Sequence, residues 1–366
     1  MALGSHHTAH GSAPGKIILL GEHAVVYGRT ALAAAIERRV EVRIVPSVGP
    51  ARFAPTAIAP SSGSESPPLK KGGKGGFSES RLNKSPSVPL FQRGKSTAPS
   101  PTNDARLLPA LARAAELVGI KPLDFVVTIQ TDLPIGVGLG SSAALSVALV
   151  RALSRFAGRA FDDTTVCAHA YELEKLFHGF PSGIDNTVAT FGGLVAFTRG
   201  RTPRALATAR PIPLVVALGR APRQTQTTVR ALRARWEAEP DRYEGWFDDI
   251  DFLVDDAERV MASSDPHALG GLMNANHGLL QRLGVSTDEL DQMVALARAH
   301  GALGAKLTGG GGGGAVICLC EDDRERLVQA FARAGWRAFA TDIGGQRGTD
   351  AASDADELER RAVAPA

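Results

Sequence analysis

The chain has 366 residues, 44% of them hydrophobic and 22% charged, which is enough apolar content for a core divided between two domains. A formal net charge of +3 is too small to argue for nucleic acid, and the surplus is local: residues 60–100 hold seven Lys/Arg against two acids, so the rest of the chain sums to −2. No apolar run is long enough to span a membrane, and Cys167, Cys318 and Cys320 have no metal-ligand spacing, so they are expected to be reduced thiols of a cytoplasmic protein.

Residues 1–11 are polar and read as a flexible leader, with His6, His7 and His10 in it. Lys16–Leu20 reads as a buried strand and Val40–Val45 as an alternating one. The pattern then stops. Residues 60–102 are rich in Ser, Pro, Gly and Lys and poor in apolar side chains, so a disordered insert is expected over 50–103, carried at low cost by a surface loop. A basic recognition segment is the alternative, but a nucleic-acid platform would need aromatic residues, and the segment offers only Phe77 and Phe91. Helical spacing resumes over 105–118, followed by a strand at 125–129, a glycine loop, a helix reaching about Phe156 and a second helix over 162–177. Strands are expected at 193–198 and 213–218, helices through most of 224–300 with breaks at Pro240, Pro266 and the Gly284 region, then a strand at 316–320, a helix at 322–334 and a strand at 336–341. Strands and helices mix without a strict βαβ repeat, which indicates an α+β fold.

The richest stretch is Pro134-Ile135-Gly136-Val137-Gly138-Leu139-Gly140-Ser141-Ser142. A strand, alternating glycines and a helix start together make an anion cradle: glycine lets the backbone approach the anion, and the helix start supplies unpaired N–H groups and a partial positive charge. No Gly-Lys-Ser/Thr closes the loop as in a Walker A motif, and no acidic residue follows at the distance a dinucleotide fingerprint requires. The serine pair can cap the helix or present a hydroxyl to a phosphate-bound Mg²⁺.

Three other segments accompany that loop: Pro14-Gly15-Lys16 running to Gly21-Glu22-His23-Ala24-Val25-Val26-Tyr27-Gly28, then His178 to Asn186, then Lys306-Leu307-Thr308 with glycines 309–314. In this order and spacing the four resemble the GHMP family of small-molecule kinases over roughly residues 12–345. The resemblance implies a two-domain α+β fold with the active site in the cleft between the domains. An N-terminal ATP-binding domain would span 12–200 and a C-terminal domain 201–345, with a flexible tail over 346–366. It also implies ATP as phosphoryl donor, Mg²⁺ as cofactor, a small hydroxyl-bearing acceptor, and neither nucleic acid nor membrane as partner, with a homodimer possible. The wording of residues 21–28 and of Met273–Ser286 selects mevalonate as the expected acceptor; phosphomevalonate, homoserine and sugars are the alternatives.

The same resemblance distributes roles. Gly136, Gly138, Gly140, Ser141 and Ser142, with Gly310, Gly311 and Gly312, are expected around ATP. Ser142 and Glu174 are expected at Mg²⁺. Glu174 and His178, four apart, share a helix face, whereas Glu172 lies roughly 200° around and is expected in solvent. Asp185 is the expected catalytic base, although Ser182 and Asp185 also have the spacing of a capping box. Lys16 is the expected partner of Asp185 and of the acceptor oxygen, although a lysine at a strand end commonly snorkels. Glu22, His23 and Thr225 are assigned to the acceptor pocket. The sequence departs from the family at Gly310, where an alanine is common, and at Phe180, where a small polar residue is common. A catalytically silent ATP sensor is the remaining alternative; it would lack the lysine, the base or the metal carboxylate, and candidates for all three are present.

Overall fold

The computed structural model describes residues 7–54, 107–121, 124–179, 181–220 and 225–344. Most of the expected insert, the segment after 344, and Phe180 lie outside the described residues.

A first sheet is organised by one long strand. β1 (Ala9–Leu20) runs antiparallel to β2 (Thr30–Pro46), and the 17 residues of β2 reach two more partners. Val40–Pro46 pair with β4 (Phe125–Thr131), and Thr30–Ala34 pair with β5 (Leu194–Thr198). Short strands β3 (Arg52–Phe53) and β6 (Arg204–Leu206) complete the edges. Along β2, Val40, Val42 and Ile44 are buried while Glu41 and Arg43 are exposed, the period-two pattern of a half-buried strand. At its other end Leu32 and Ala34 enter one core and Ala31 and Ala33 another, so that end is covered on both faces. Four helices flank this sheet: α1 (Leu107–Val118), α2 (Ser141–Phe156), α3 (Asp163–His178) and α4 (Ile184–Phe191). α2 lies so close to β1 that a Cβ on Gly11 would come within 2.1 Å of the Ala148 carbonyl oxygen.

The second sheet is antiparallel, in the order β10-β7-β9-β8, from β7 (Ile212–Leu218), β8 (Gly304–Thr308), β9 (Ala315–Leu319) and β10 (Arg337–Ile343). Its helices are α5 (Thr225–Ala238), α6 (Pro240–Ser263), α7 (Pro266–Arg282), α8 (Asp288–Ala299) and α9 (Arg324–Arg333). Pro240 and Pro266 stand at the starts of α6 and α7, where a missing N–H costs nothing. Leu214, Val216 and Leu218 of β7 join the core shared with the first sheet, and Val215 and Ala217 face the core under α5–α9. β7 is therefore buried on both faces, which explains its continuous apolar sequence.

Two expectations are corrected. The polar start of the chain does not remain a leader: from Ala9 it is strand, paired with Arg39–Ile44 of β2, and Arg155 donates to the His10 carbonyl and Arg151 to the Ser12 carbonyl at 2.8 and 2.9 Å. Tertiary contacts override the weak β propensity of Gly11, Ser12 and Pro14. The sheet also takes in Arg52–Phe53, inside the range given to the insert, with Phe53 packed on the core.

Candidate active site

Lys16 sits where β1 leaves its register with β2, between the pairs Pro14–Arg39 and Lys16–Ala35. Its backbone N–H, freed from regular pairing, donates to the carbonyl of Leu139 in the glycine loop at 2.9 Å. Gly136, Gly138 and Gly140 all have positive φ, from 72° to 90°. At Gly140 a Cβ would also stand 2.8 Å from Lys16 Cγ, so glycine is required by both conformation and space. Gly140 is the N-cap of α2, and no side chain caps that end. The serine pair is thus not spent on capping, and the N–H groups of the first turn keep no intrahelical acceptor.

Across from this loop, α4 begins at Ile184 with Gly183 as its N-cap. Ser182 Oγ accepts from the Ile184 N–H at 3.4 Å, and the reciprocal bond of a capping box is not what Asp185 makes. Its Oδ1 lies 2.9 Å from Lys16 Nζ. The lysine side chain is 3% exposed and the aspartate 32%, so the ammonium is enclosed and the carboxylate opens to the surroundings.

Behind this pair, α2 and α3 present a second polar group. Ser142 Oγ donates to Glu174 Oε2 at 3.1 Å and is 2.9 Å from His178 Nε2; Ser146 Oγ donates to Glu174 Oε1 at 3.2 Å. Glu174 is 1% exposed. Burial first, and the charge of Asp185 second, push its carboxyl up to about 8, against the opposing hydrogen bonds of Ser142 and Ser146 and the charge of Lys16. Among the described residues no group of three or more His, Cys, Asp or Glu could hold a metal. One hydroxyl with one carboxylate nevertheless suits Mg²⁺, which takes few protein ligands and completes its shell with phosphate oxygens and water. A buried carboxylate beside a like charge is a place short of positive charge, so the donor set fits the ion. Glu172 points elsewhere and pairs with Lys175 at 2.6 Å.

The turn after β1 is held from the second sheet's side. Gly21 has φ 98°, and a Cβ there would come within 2.5 Å of Ala31 Cα. His23 has φ 63°, a strained value for a non-glycine residue, and is buried. Glu22 is fully buried and ion-paired with Lys306 of β8, so its carboxylate is turned away from open space. Burial pushes Glu22 up and Lys306 down, each opposed by the other's charge. Tyr27 stacks on Phe247 with ring centroids 4.2 Å apart, and Arg29 reaches Glu244 and Asp248 of α6 at 2.5 and 2.7 Å.

Glycines 309–314 connect β8 to β9. The Gly312 N–H donates to the Val285 carbonyl at 2.9 Å, and a Cβ on Gly311 would lie 2.1 Å from that same oxygen. Of the six, Gly310 alone lacks a positive φ, so it is the position of the run where an alanine fits without backbone strain. Thr225 is the first residue of α5 and is half-buried; residues 221–224 before it lie outside the described residues.

The structure therefore gathers Lys16, Asp185, Ser142 and Glu174 around the loop carrying Gly136–Ser141. Sequence reasoning missed Ser146 and Lys306 and gave His178 no role. Ser146 is four residues after Ser142 and could have been found by helical spacing. Lys306 precedes Leu307-Thr308 and the glycine run, and its alternation with the apolar Ala305 and Leu307 was the available signal.

Residues 106–193 match the GHMP kinases N terminal domain and residues 256–338 the GHMP kinases C terminal domain. The chain belongs to the GHMP kinase family and is a kinase. The relatives it matches carry a narrower name. Mevalonate kinase of Pyrococcus horikoshii is 35% identical over 333 residues, 88% of this chain and 92% of the relative. Mevalonate kinase of Methanothermobacter thermautotrophicus is 35% identical over 333 residues, covering 91% and 96%. The crystal structure of L. major mevalonate kinase in complex with R-mevalonate superposes with a TM-score of 0.74 at 26% identity, covering 95% of this chain and 99% of that one.

Proposed function

We propose that this kinase transfers the γ-phosphoryl group of ATP to the 5-hydroxyl of mevalonate, giving 5-phosphomevalonate and ADP for isoprenoid synthesis in the cytoplasm. The observation that carries the reading is the Lys16–Asp185 pair, 2.9 Å apart, beside a glycine loop bonded to the backbone of the same lysine. Loop and helix-start N–H groups hold the phosphates. Ser142 and Glu174 would hold Mg²⁺, which neutralises phosphate charge when bound. Asp185 accepts the proton of the acceptor hydroxyl as its oxygen forms the bond to the γ-phosphorus and the bond from that phosphorus to the ADP oxygen breaks. Lys16 lies next to that oxygen, favours its deprotonated form and shields the transferring group. His23, Thr225 and glycines 310–312 complete the acceptor and nucleotide sides, and the buried Glu22 carboxylate supports the turn carrying His23 through Lys306.

Coupled ADP release measured with mevalonate, phosphomevalonate, homoserine and galactose tests the assignment. Mevalonate is expected to give the highest kcat/KM by a wide margin; comparable turnover of any other acceptor overturns it.

A further inference from the structure

Strand alternation divides β8 between two environments. Ala305 and Leu307 enter the core under α7 and α8, while Lys306 and Thr308 take the opposite face, toward β1 and the turn after it. Thr308 Oγ1 accepts from the Ile18 N–H at 2.9 Å and donates to the Ile18 carbonyl at 3.0 Å, so one hydroxyl already joins the two sheets. Lys306 Nζ donates to Glu22 Oε1 and, at 2.8 Å, to the Leu307 carbonyl. Both side chains of the pair are fully buried, and Glu22 Oε2 has no hydrogen-bond partner among the described residues.

A buried ion pair is a poor source of stability, because desolvation consumes much of the attraction. Its location suggests another use. Lys16 interacts electrostatically with both Glu22 and Lys306. Lys16 has two carboxylates within electrostatic reach and is bonded to Asp185. In a low-dielectric interior, a Glu22 carboxylate without its own cation would compete for that ammonium.

We propose that Lys306 is a positioning residue: by engaging Glu22 it leaves Lys16 to Asp185 and holds the Gly21–Tyr27 turn in place at the acceptor side. The inference rests on the roles given above to Lys16 and Asp185. Lys306 is fully buried and acts through Glu22, so its loss bears on the transfer step and not on nucleotide capture.

The test compares full-length wild type, Lys306→Met, Glu22→Gln and the double variant for kcat, for KM of each substrate, for binding of a fluorescent ATP analogue, and for melting. Misplacing a reacting group by about an ångström can cost roughly 10²-fold, so kcat of Lys306→Met is expected to fall about 10- to 100-fold while affinity for the ATP analogue stays within about threefold. Adding Glu22→Gln removes the competing carboxylate, so the double variant is expected to turn over several-fold faster than Lys306→Met; because relief of a lone buried charge also restores stability, kcat is compared well below the melting temperature of every variant, where a purely structural role leaves the single and double variants equally active. A folded Lys306→Met with kcat within twofold of wild type overturns the proposal, as does a double variant no faster than the single one. If Lys306→Met does not fold, the double variant, which leaves no lone buried charge, is compared with Glu22→Gln: equal kcat supports action through Glu22, and a tenfold deficit overturns it. Wild type and Asp185→Asn run alongside separate this outcome from failure of the functional reading, since the Lys306 comparison can be made with whichever acceptor wild type turns over.

Discussion

The backbone N–H of Lys16 is bonded to the carbonyl of Leu139 at 2.9 Å, so the lysine and the glycine loop form one mechanical unit. Its tightest contact is at Gly140. Gly140→Ala would place a methyl 2.8 Å from Lys16 Cγ at a φ of 72°. We expect kcat to fall about 10- to 100-fold through displacement of Lys16. Gly136→Ala, at a similar φ but facing open space, carries only backbone strain of about 1–2 kcal/mol and should retain far more activity. Steady-state kinetics with melting curves on both variants separates the two effects.

Asp185→Asn keeps shape and removes the base; Lys16→Met keeps bulk and removes the charge. Each should lower kcat by roughly 10²–10⁴-fold, with folding and nucleotide binding retained. The double variant should lose little more than either single one, because the two groups serve one step. Turnover near wild type in either single variant contradicts the roles assigned.

Ser142→Ala and Glu174→Gln should each raise the Mg²⁺ concentration giving half-maximal rate, and Glu172→Gln should leave it unchanged, because Glu172 is paired with Lys175 on another face of α3. Titration of rate against Mg²⁺ at saturating ATP is the measurement. Greater sensitivity at Glu172 would sink the helical-face argument.

Glu174 gives a pH dependence of definite sign. In the unfolded chain its carboxyl ionises near 4.5, and in the metal-free fold near about 8. The folded state binds the proton more tightly across that interval, so metal-free stability falls as pH rises through it and the loss is complete above about 8. Glu174→Gln removes this liability. With chelator present, the variant should melt several degrees above wild type near about pH 9, and the gap should close toward about pH 4.5. A constant gap, or one that widens in acid, is the contrary result.

Much of this was legible in the residues. The alternating glycines, the i,i+4 pair Glu174–His178 and the prolines at 240 and 266 each express a local rule, so loop, helix face and helix starts could be read directly. What escaped depends on contacts distant in sequence. Gly11 and Ser12 have no strand signal of their own and become strand by pairing with Val42 and Glu41 of β2, with Arg151 and Arg155 of α2 bonded to neighbouring carbonyls. Strand β8 carries an alternating signal at Ala305, Lys306 and Leu307, but the burial of a lysine there is accounted for by Glu22, 284 residues away. The capping-box spacing at Ser182 and Asp185 is satisfied by sequence and left unused, because a buried ammonium offers Asp185 a stronger partner than a backbone N–H.

The Glu22–Lys306 pair also bears on whether the molecule can be divided. One partner precedes the crossing at 207–211 between β6 and β7, and the other follows it. A chain cut at that crossing would leave each half with a solitary charge in an apolar setting, and neither half should fold autonomously. Two sheets visible in the architecture are then a single cooperative unit, expected to give one endotherm in calorimetry, and separately expressed halves should acquire structure only when mixed.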